Sequence, residues 1–417
     1  MKKRTIYGWF ALICGFLTCV YFNAFLGNQQ GLLLEPISTA LNMPRTLYSS
    51  IMSIAAVVST IASFIYPTAY KKLGLRAMSI IGALGAVLFC FFYYLAGIMT
   101  GAATILFVIG QICFGVTCGW ATLVMSTTLI NNWFAKNRGT LISITSTLTG
   151  VTSIFAAPLV TLWIINFGWD KSMLFRGIIG IAVLVFYILT LREKPGEKDA
   201  MVWADSANIT ETTAAEAETA AAPDDGNAVS GILKTKNFWF CLIVSFGIGL
   251  VVYPAFVCLA ANASDLGYAS NVGTLMSVVY ATNIIVTLPM GGLIEKFGCR
   301  MVLIPMFILI GLGMFILAGS SVSLPVLYFA SVLMGVGFST FNVPIAMMAL
   351  EVAGEKGVVQ VQSYYFSIMN AGMIFGPPLF NIIYDAQGTY HMAYIMGLVC
   401  VVVLIAAVFF GTGRKKA

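Results

Sequence analysis

Amide side chains are concentrated where an apolar stretch of membrane length should hold none: Asn23, Asn28, Gln29 and Gln30 fall within eight residues of one another. An amide donates and accepts hydrogen bonds without carrying charge. Such a cluster can therefore hold a carboxylate or a hydroxylated solute through neutral contacts. It could also bind one helix to another, but four amides in so short a run exceed what that requires. Further along, Gln111, Thr117 and Trp120, then Tyr253, Tyr280, Asn283 and Asn342, and finally Tyr364, Tyr365 and Asn370 bring amide, phenol and indole groups into apolar surroundings. Ionisable residues avoid those positions. Glu35, Arg176, Asp265, Asp385, Glu351 and Glu355 all fall near the ends of apolar stretches, where a charge reads as a snorkelling or helix-end group. The nine cysteines include no Cys-x-x-Cys pair, so they read as small packing residues. His391 is the only histidine and reads as a surface residue. Without clustered histidines, paired carboxylates or a nucleophile beside a base, catalysis has no candidate residues. No metal ligand or cofactor is expected either.

The elements that must position these groups are twelve apolar stretches, at roughly 7–34, 47–69, 77–99, 102–130, 140–165, 173–191, 237–261, 271–294, 301–319, 324–350, 358–383 and 391–411. Each supplies about 20 residues or more, enough for a helix to cross a hydrocarbon core about 30 Å thick. The runs are continuously apolar and not alternating, which indicates helices and not barrel strands. Hydrophobic residues make up 59% of the chain and charged residues 9%, against about 25% charged in a soluble domain. The opening Met-Lys-Lys-Arg imitates a signal peptide, but the run after it is too long and lacks a small-x-small cleavage site, so it reads as a retained first helix.

Basic residues set the orientation. With a cytoplasmic N-terminus, 19 of the 22 Lys and Arg residues lie inside, and only Arg45, Lys171 and Arg176 lie outside. Cationic loops resist crossing the bilayer. A multi-pass protein of the plasma or inner cell membrane with both termini cytoplasmic is therefore expected. The net charge of +6 belongs to these loops and is not a nucleic-acid footprint.

The chain divides and repeats. Residues 192–236 carry few large apolar groups and read as a disordered cytoplasmic linker between halves at 1–191 and 237–417. Phe155-Ala-Ala-Pro158-Leu159, Gly168 and Gly177 match Phe375-Gly-Pro-Pro378-Leu379, Gly388 and Gly397 at an offset of 220, as Gly115 matches Gly335. Pro67, Gly74 and Arg76 match Gly291, Gly298 and Arg300 at an offset of 224. The expected fold is thus all-α and membrane-integral, with 12 transmembrane helices in two pseudo-symmetric six-helix bundles. Such symmetry marks a transporter whose halves rock about a central site.

Gly291-Gly-Leu-Ile-Glu295-Lys296-Phe-Gly298-Cys-Arg300 fits the cytoplasmic loop signature of the major facilitator superfamily, which this chain resembles. The mirror loop, Pro67-Thr-Ala-Tyr-Lys71-Lys72-Leu-Gly74-Leu-Arg76, has Lys71 in place of the acid. Within the superfamily the chain is similar to the monocarboxylate porter and oxalate/formate antiporter group. The likeness rests on Tyr7-Gly8-Trp9, Asn132-Trp133-Phe134-Ala-Lys-Asn-Arg138-Gly139, Phe167-Gly168-Trp169 and Gly372-x3-Gly376-Pro377-Pro378-Leu379-x4-Tyr384-Asp385.

The resemblance implies that helices 1, 4, 7 and 10, with parts of 2, 5, 8 and 11, line a cavity. The binding residues it then suggests are Asn28, Gln29, Trp120, Tyr253, Tyr280, Asn283, Asn342, Tyr365 and Asn370. On an ideal helix Asn28 and Gln29 point to adjacent sectors of one side. Gating falls to Glu295, Arg300 and Arg138, with Glu295 meeting the N-terminal end of the helix after Arg138 when the cytoplasmic side is shut. Carboxylate-moving members carry an Arg in helix 8 and some a Lys in helix 11; the matching positions here are Thr287 or Leu288, and Met369. A doubly charged substrate such as oxalate would find no counter-charge there.

The expected function is secondary active or facilitative transport of a small organic solute by alternating access, foremost a monocarboxylate-type acid, by a porter or antiporter. The alternative is an uncharged or amphipathic solute, such as a drug, a sugar or a sterol-like compound. A channel or a membrane enzyme would be a different class. Expected partners are the solute and the lipid bilayer, not nucleic acid, and a monomer suffices.

Overall fold

The computed structural model describes residues 6–121, 123–134, 138–192, 202, 232–319, 322–341 and 343–411. Nearly all of these are helical, and no strand occurs among the described residues. A backbone in lipid must satisfy its own polar groups, and a helix does so within one segment. Twelve helices are long and apolar enough to cross a membrane. In order these spans are Tyr7–Ala40, Arg45–Ser63, Thr68–Ile98, Thr100–Ile130, Thr147–Phe167, Trp169–Thr190, Lys236–Asp265, Ala269–Phe297, Cys299–Leu317, Leu324–Phe341, Gln360–Gln387 and His391–Gly411, numbered 1 to 12 below. An even number of crossings puts both ends of the chain on one side, here termed the terminal face; the other is the opposite face.

The duplicated glycines explain themselves in the backbone. Gly74 (φ 75°) turns span 2 into span 3, and Gly298 (φ 83°) turns span 8 into span 9; Gly168 (φ 91°) and Gly388 (φ 73°) do the same between spans 5 and 6 and spans 11 and 12. This left-handed region is open to glycine and strained for other residues. Gly115 and Gly335 serve packing instead. A Cβ on Gly115 would lie 2.6 Å from Val58 Cβ and 2.8 Å from the Ala55 carbonyl oxygen. One on Gly335 would lie 2.6 Å from both Thr282 Cβ and the Val279 carbonyl oxygen. Spans 4 and 2 thus touch backbone to backbone as spans 10 and 8 do, which is how small residues act in lipid.

The halves differ at one place. The offset between repeats falls from 224 at Arg76 to 220 at Gly115, so the extra residues lie within span 3, the start of span 4 or the turn that joins them. Of the segment between the halves, Val202 is described: its N–H donates to the Trp133 carbonyl (2.8 Å) and its side chain is buried. Arg192 and residues 232–236 of the expected linker are also described, with Lys236 already starting span 7; 193–201 and 203–231 lie outside the described residues.

Candidate solute pathway

The polar cluster of span 1 sits where that span stops being an α-helix. Thr18–Gly27 is wound as a π-helix, the Asn28 N–H bonds back to the Asn23 carbonyl (2.8 Å), and a 3-10 turn follows at Gln30–Leu33. Span 7 repeats the device: a π-helical turn at Ile248–Val252 precedes Tyr253 and Pro254. Wide turns re-aim side chains, and they recur at functional sites.

Between these two irregular spans lie two adjoining cavities of about 230 and 260 Å3. Gly27, Asn28, Gln30, Tyr253, Val257 and Met373 line both. Gly31, Phe256, Phe338, Phe341 and Met369 complete the first; Ser53, Ser59, Cys118 and Asn370 help complete the second. Every charged side chain among the described residues stands outside both linings. The walls therefore offer amide and hydroxyl partners on one side and aromatic rings and thioethers on the other.

Hydrogen bonds fix the polar wall. Asn28 Nδ2 donates to Ser153 Oγ (2.8 Å), while the Asn28 carbonyl accepts from the Tyr280 hydroxyl (2.7 Å). Gln30 Oε1 accepts from Gln111 Nε2 (3.3 Å), which also donates to the Tyr93 hydroxyl (2.6 Å).

The expected binding residues separate into groups. Asn28, Tyr253 and Asn370 come together at the cavities. Tyr280 stands behind the wall, edge-on to Phe256 (5.9 Å) and Phe338 (6.0 Å). Gln29 is fully buried away from the cavities, donating through Nε2 to the Ala24 carbonyl (3.0 Å). The π-helical winding breaks the 100° spacing that would have put it beside Asn28. Trp120 donates to the Ala62 carbonyl (3.0 Å) and Tyr365 to the Phe238 carbonyl (3.3 Å), so both link helices. Asn283 is half-buried on span 8, and Asn342 lies outside the described residues.

On the terminal face Glu295 is exposed, with no hydrogen-bond or ion-pair partner among the described residues. Arg300 lies 3.4 Å over the Phe409 ring. Arg138 opens the helix Arg138–Phe167, and its side chain is not described.

Sequence reasoning missed two cations. Arg176, read above as a snorkelling charge, is fully buried inside the first half. Its Nη2 donates to Ser172 Oγ (3.3 Å), while Nε and Nη1 have no partner among the described residues. Arg45, placed among the loop charges, is only 5% exposed. It reaches across to the second half and makes the single ion pair found among the described residues, with Asp265. Their signal was available: both belong to the three basic residues that defy the charge asymmetry.

Hydrogen bonds join the halves at the opposite face and in mid-span. Beyond those of Arg45 and Thr46, Ser53 Oγ donates to the Ile374 carbonyl (2.7 Å), Ser277 Oγ to the Ile154 carbonyl (2.6 Å) and the Tyr280 hydroxyl to the Asn28 carbonyl (2.7 Å). The molecule is held shut on the opposite face.

Two six-helix halves, joined on one face around a mid-depth cavity, define a carrier of the alternating-access kind. The sequence matches the Major Facilitator Superfamily over residues 11–269 and 253–417, and the chain belongs to that family. None of the curated proteins compared with it matches. Among solved structures, the nucleoside transporter NupG is similar with a TM-score of 0.73 and 14% identity, over 97% of this chain and 98% of that one. A bacterial homologue of the human lysosomal transporter Spinster, solved inward-facing and unoccupied, gives 0.72 and 15%, over 97% of each chain. The Escherichia coli fucose:proton symporter FucP gives 0.56 and 16%, over 99% of this chain and all of that one. These likenesses concern the fold. The chain is a multi-pass membrane transporter of a small solute, and not an enzyme.

Proposed function

We propose that this transporter carries an uncharged or amphipathic organic solute with a flat apolar face. The supporting observation is the cavity wall: Asn28, Gln30 and Asn370 supply neutral hydrogen bonds, and Tyr253, Phe256 and Phe338 supply rings. Met369, where the group resemblance implies a lysine in some carboxylate-moving members, lines the cavity. A thioether there packs against an apolar surface and does not neutralise an anion.

A monocarboxylate-type acid is the second reading. The group resemblance favours it, and so does Arg176, whose unpartnered N–H groups are buried in the half that holds the Gln30–Gln111–Tyr93 relay. Thermal stabilisation of the purified protein separates the two. At a hundredfold excess over Kd a ligand adds about 2.7 kcal/mol to stability. Nucleosides, sugars and neutral amphipaths should raise Tm, and monocarboxylates should not. If acids alone raise it, and Arg176→Met removes that response, the second reading stands.

No carboxylate, histidine, lysine or arginine lines the cavities, which supports uniport or solute exchange over obligatory proton symport. Glu35 is the residue to watch, since it lines a separate cavity of about 210 Å3 near the opposite face. Uptake that collapses with the pH gradient, and regains gradient independence in Glu35→Gln, would overturn this mode.

A further inference from the structure

The described residues hold one ion pair, and it joins the two halves. Arg45 begins span 2. Its Nη1 and Nη2 donate to Asp265 Oδ2 and Oδ1, both at 2.7 Å, in the fork-to-fork geometry that suits guanidinium and carboxylate. Nη1 also donates to the Tyr390 hydroxyl (3.2 Å), which donates in turn to Asn381 Oδ1 (2.8 Å). The guanidinium carbon stands 4.0 Å over the Tyr384 ring. A second acid completes the arrangement. Asp385 accepts the backbone N–H groups of Arg45 (3.1 Å) and Thr46 (2.8 Å), so a residue of span 11 caps the N-terminus of span 2. Asp265, Asn381, Tyr384, Asp385 and Tyr390 all belong to the second half.

The repeat does not account for these groups. Shifted by the repeat offsets, Arg45 falls on Ala269 and Asp385 falls on Ile165. The cluster is an addition peculiar to one side of one interface. Every bond made by Arg45 and Thr46 in it runs between halves, so rocking the halves apart on this face must break all of these together.

We propose that Arg45, Asp265 and Asp385 form the latch that holds the opposite face shut, so that its ion pair and trans-helix cap set how often the carrier opens on that side. Glu295 shows no such contact on the terminal face in this state. The latch therefore biases the resting molecule toward opening at the terminal face.

The test needs no knowledge of the solute. Spin labels on cysteines introduced at Ala40 and Gln387, both exposed, one in each half at the opposite face, report their separation by pulsed electron resonance. The native protein should give a dominant short-distance population with a minor longer one. Arg45→Gln and Asp265→Asn should each raise the longer-distance population at least threefold above its native share. The exchange of charges, Arg45→Asp with Asp265→Arg, should restore the short distance. Asp385→Asn, on an exposed side chain, should give a smaller shift in the same direction and serves if the Arg45 variant does not fold. Unchanged distances in variants that melt normally would overturn the latch. So would a lengthening that the charge exchange leaves in place, because the cluster would then be local packing.

Discussion

Asn28 and Gln29 are neighbours in sequence with opposite fates. Asn28 is half-buried at the cavity, with its donor on Ser153 and its carbonyl under Tyr280; Gln29 is sealed in the protein beneath it. Replacing Asn28 by Leu should weaken solute binding by about 1–3 kcal/mol, because a buried polar partner is then left unmet. Gln29→Leu should leave affinity within twofold, although Tm moves. A titration of each variant with whichever compound stabilises the native protein decides this; equal losses of affinity would remove the distinction. At this scale the sequence displayed the amide cluster plainly. It did not display the phase of the side chains, since a π-helical turn leaves no periodic trace. Met369 was legible as a departure from the resembled group, and its place in the cavity wall came only with the fold.

Helices in this protein meet through glycine at equivalent places in both halves. Alanine at Gly115 would press on the Ala55 carbonyl and Val58, and alanine at Gly335 on the Val279 carbonyl and Thr282. Backbone does not yield as a side chain does. Each substitution should cost about 1–3 kcal/mol of stability, in the manner of an overfilled core, and a thermal melt of the two variants should show similar losses. A loss in one half alone would mean that the repeat is not matched in packing.

The terminal-face gate also belongs at the level of elements. The helix Arg138–Phe167 begins where the sequence placed the acceptor for Glu295, and Glu295 is exposed, with no partner among the described residues. A charge at a helix N-terminus contributes about 0.3–1 kcal/mol. Glu295→Gln should therefore favour opening at the terminal face, and Lys71→Gln in the mirror loop should do little. Thiol-reagent accessibility at that face measures both; equal effects would refute the asymmetry. Helix existence was legible almost throughout, because twenty apolar residues in a row admit few other structures in lipid. The tight turns were legible as repeated glycines.

For the molecule as a whole, the charge pattern predicts an orientation with both termini in the cytoplasm. Polar and carrying five bases, the 192–236 segment should be cut by protease added to inside-out vesicles and spared in right-side-out ones. The reverse pattern would invert every assignment of inside and outside. Twelve crossings, two halves and the superfamily were all readable from composition, spacing and one loop signature. Which face is shut was not, because that depends on Arg45 meeting Asp265, 220 residues away, with no local pattern to announce it.

The slip in the repeat between spans 3 and 4 reaches into the lipid. Span 3 and the start of span 4 carry about four residues more than their counterparts, which shared between the two helices adds about 3 Å of height. Ile98, Met99 and Ile105, at 60%, 54% and 66% exposed, keep that extra height apolar. The greasy belt around the protein is therefore not level. Lipids along that flank must stretch, or the carrier must lean, at a cost of a fraction of a kcal/mol per ångström. A leaning carrier meets the bilayer at two depths, so thicker membranes should suit the first half and thinner ones the second.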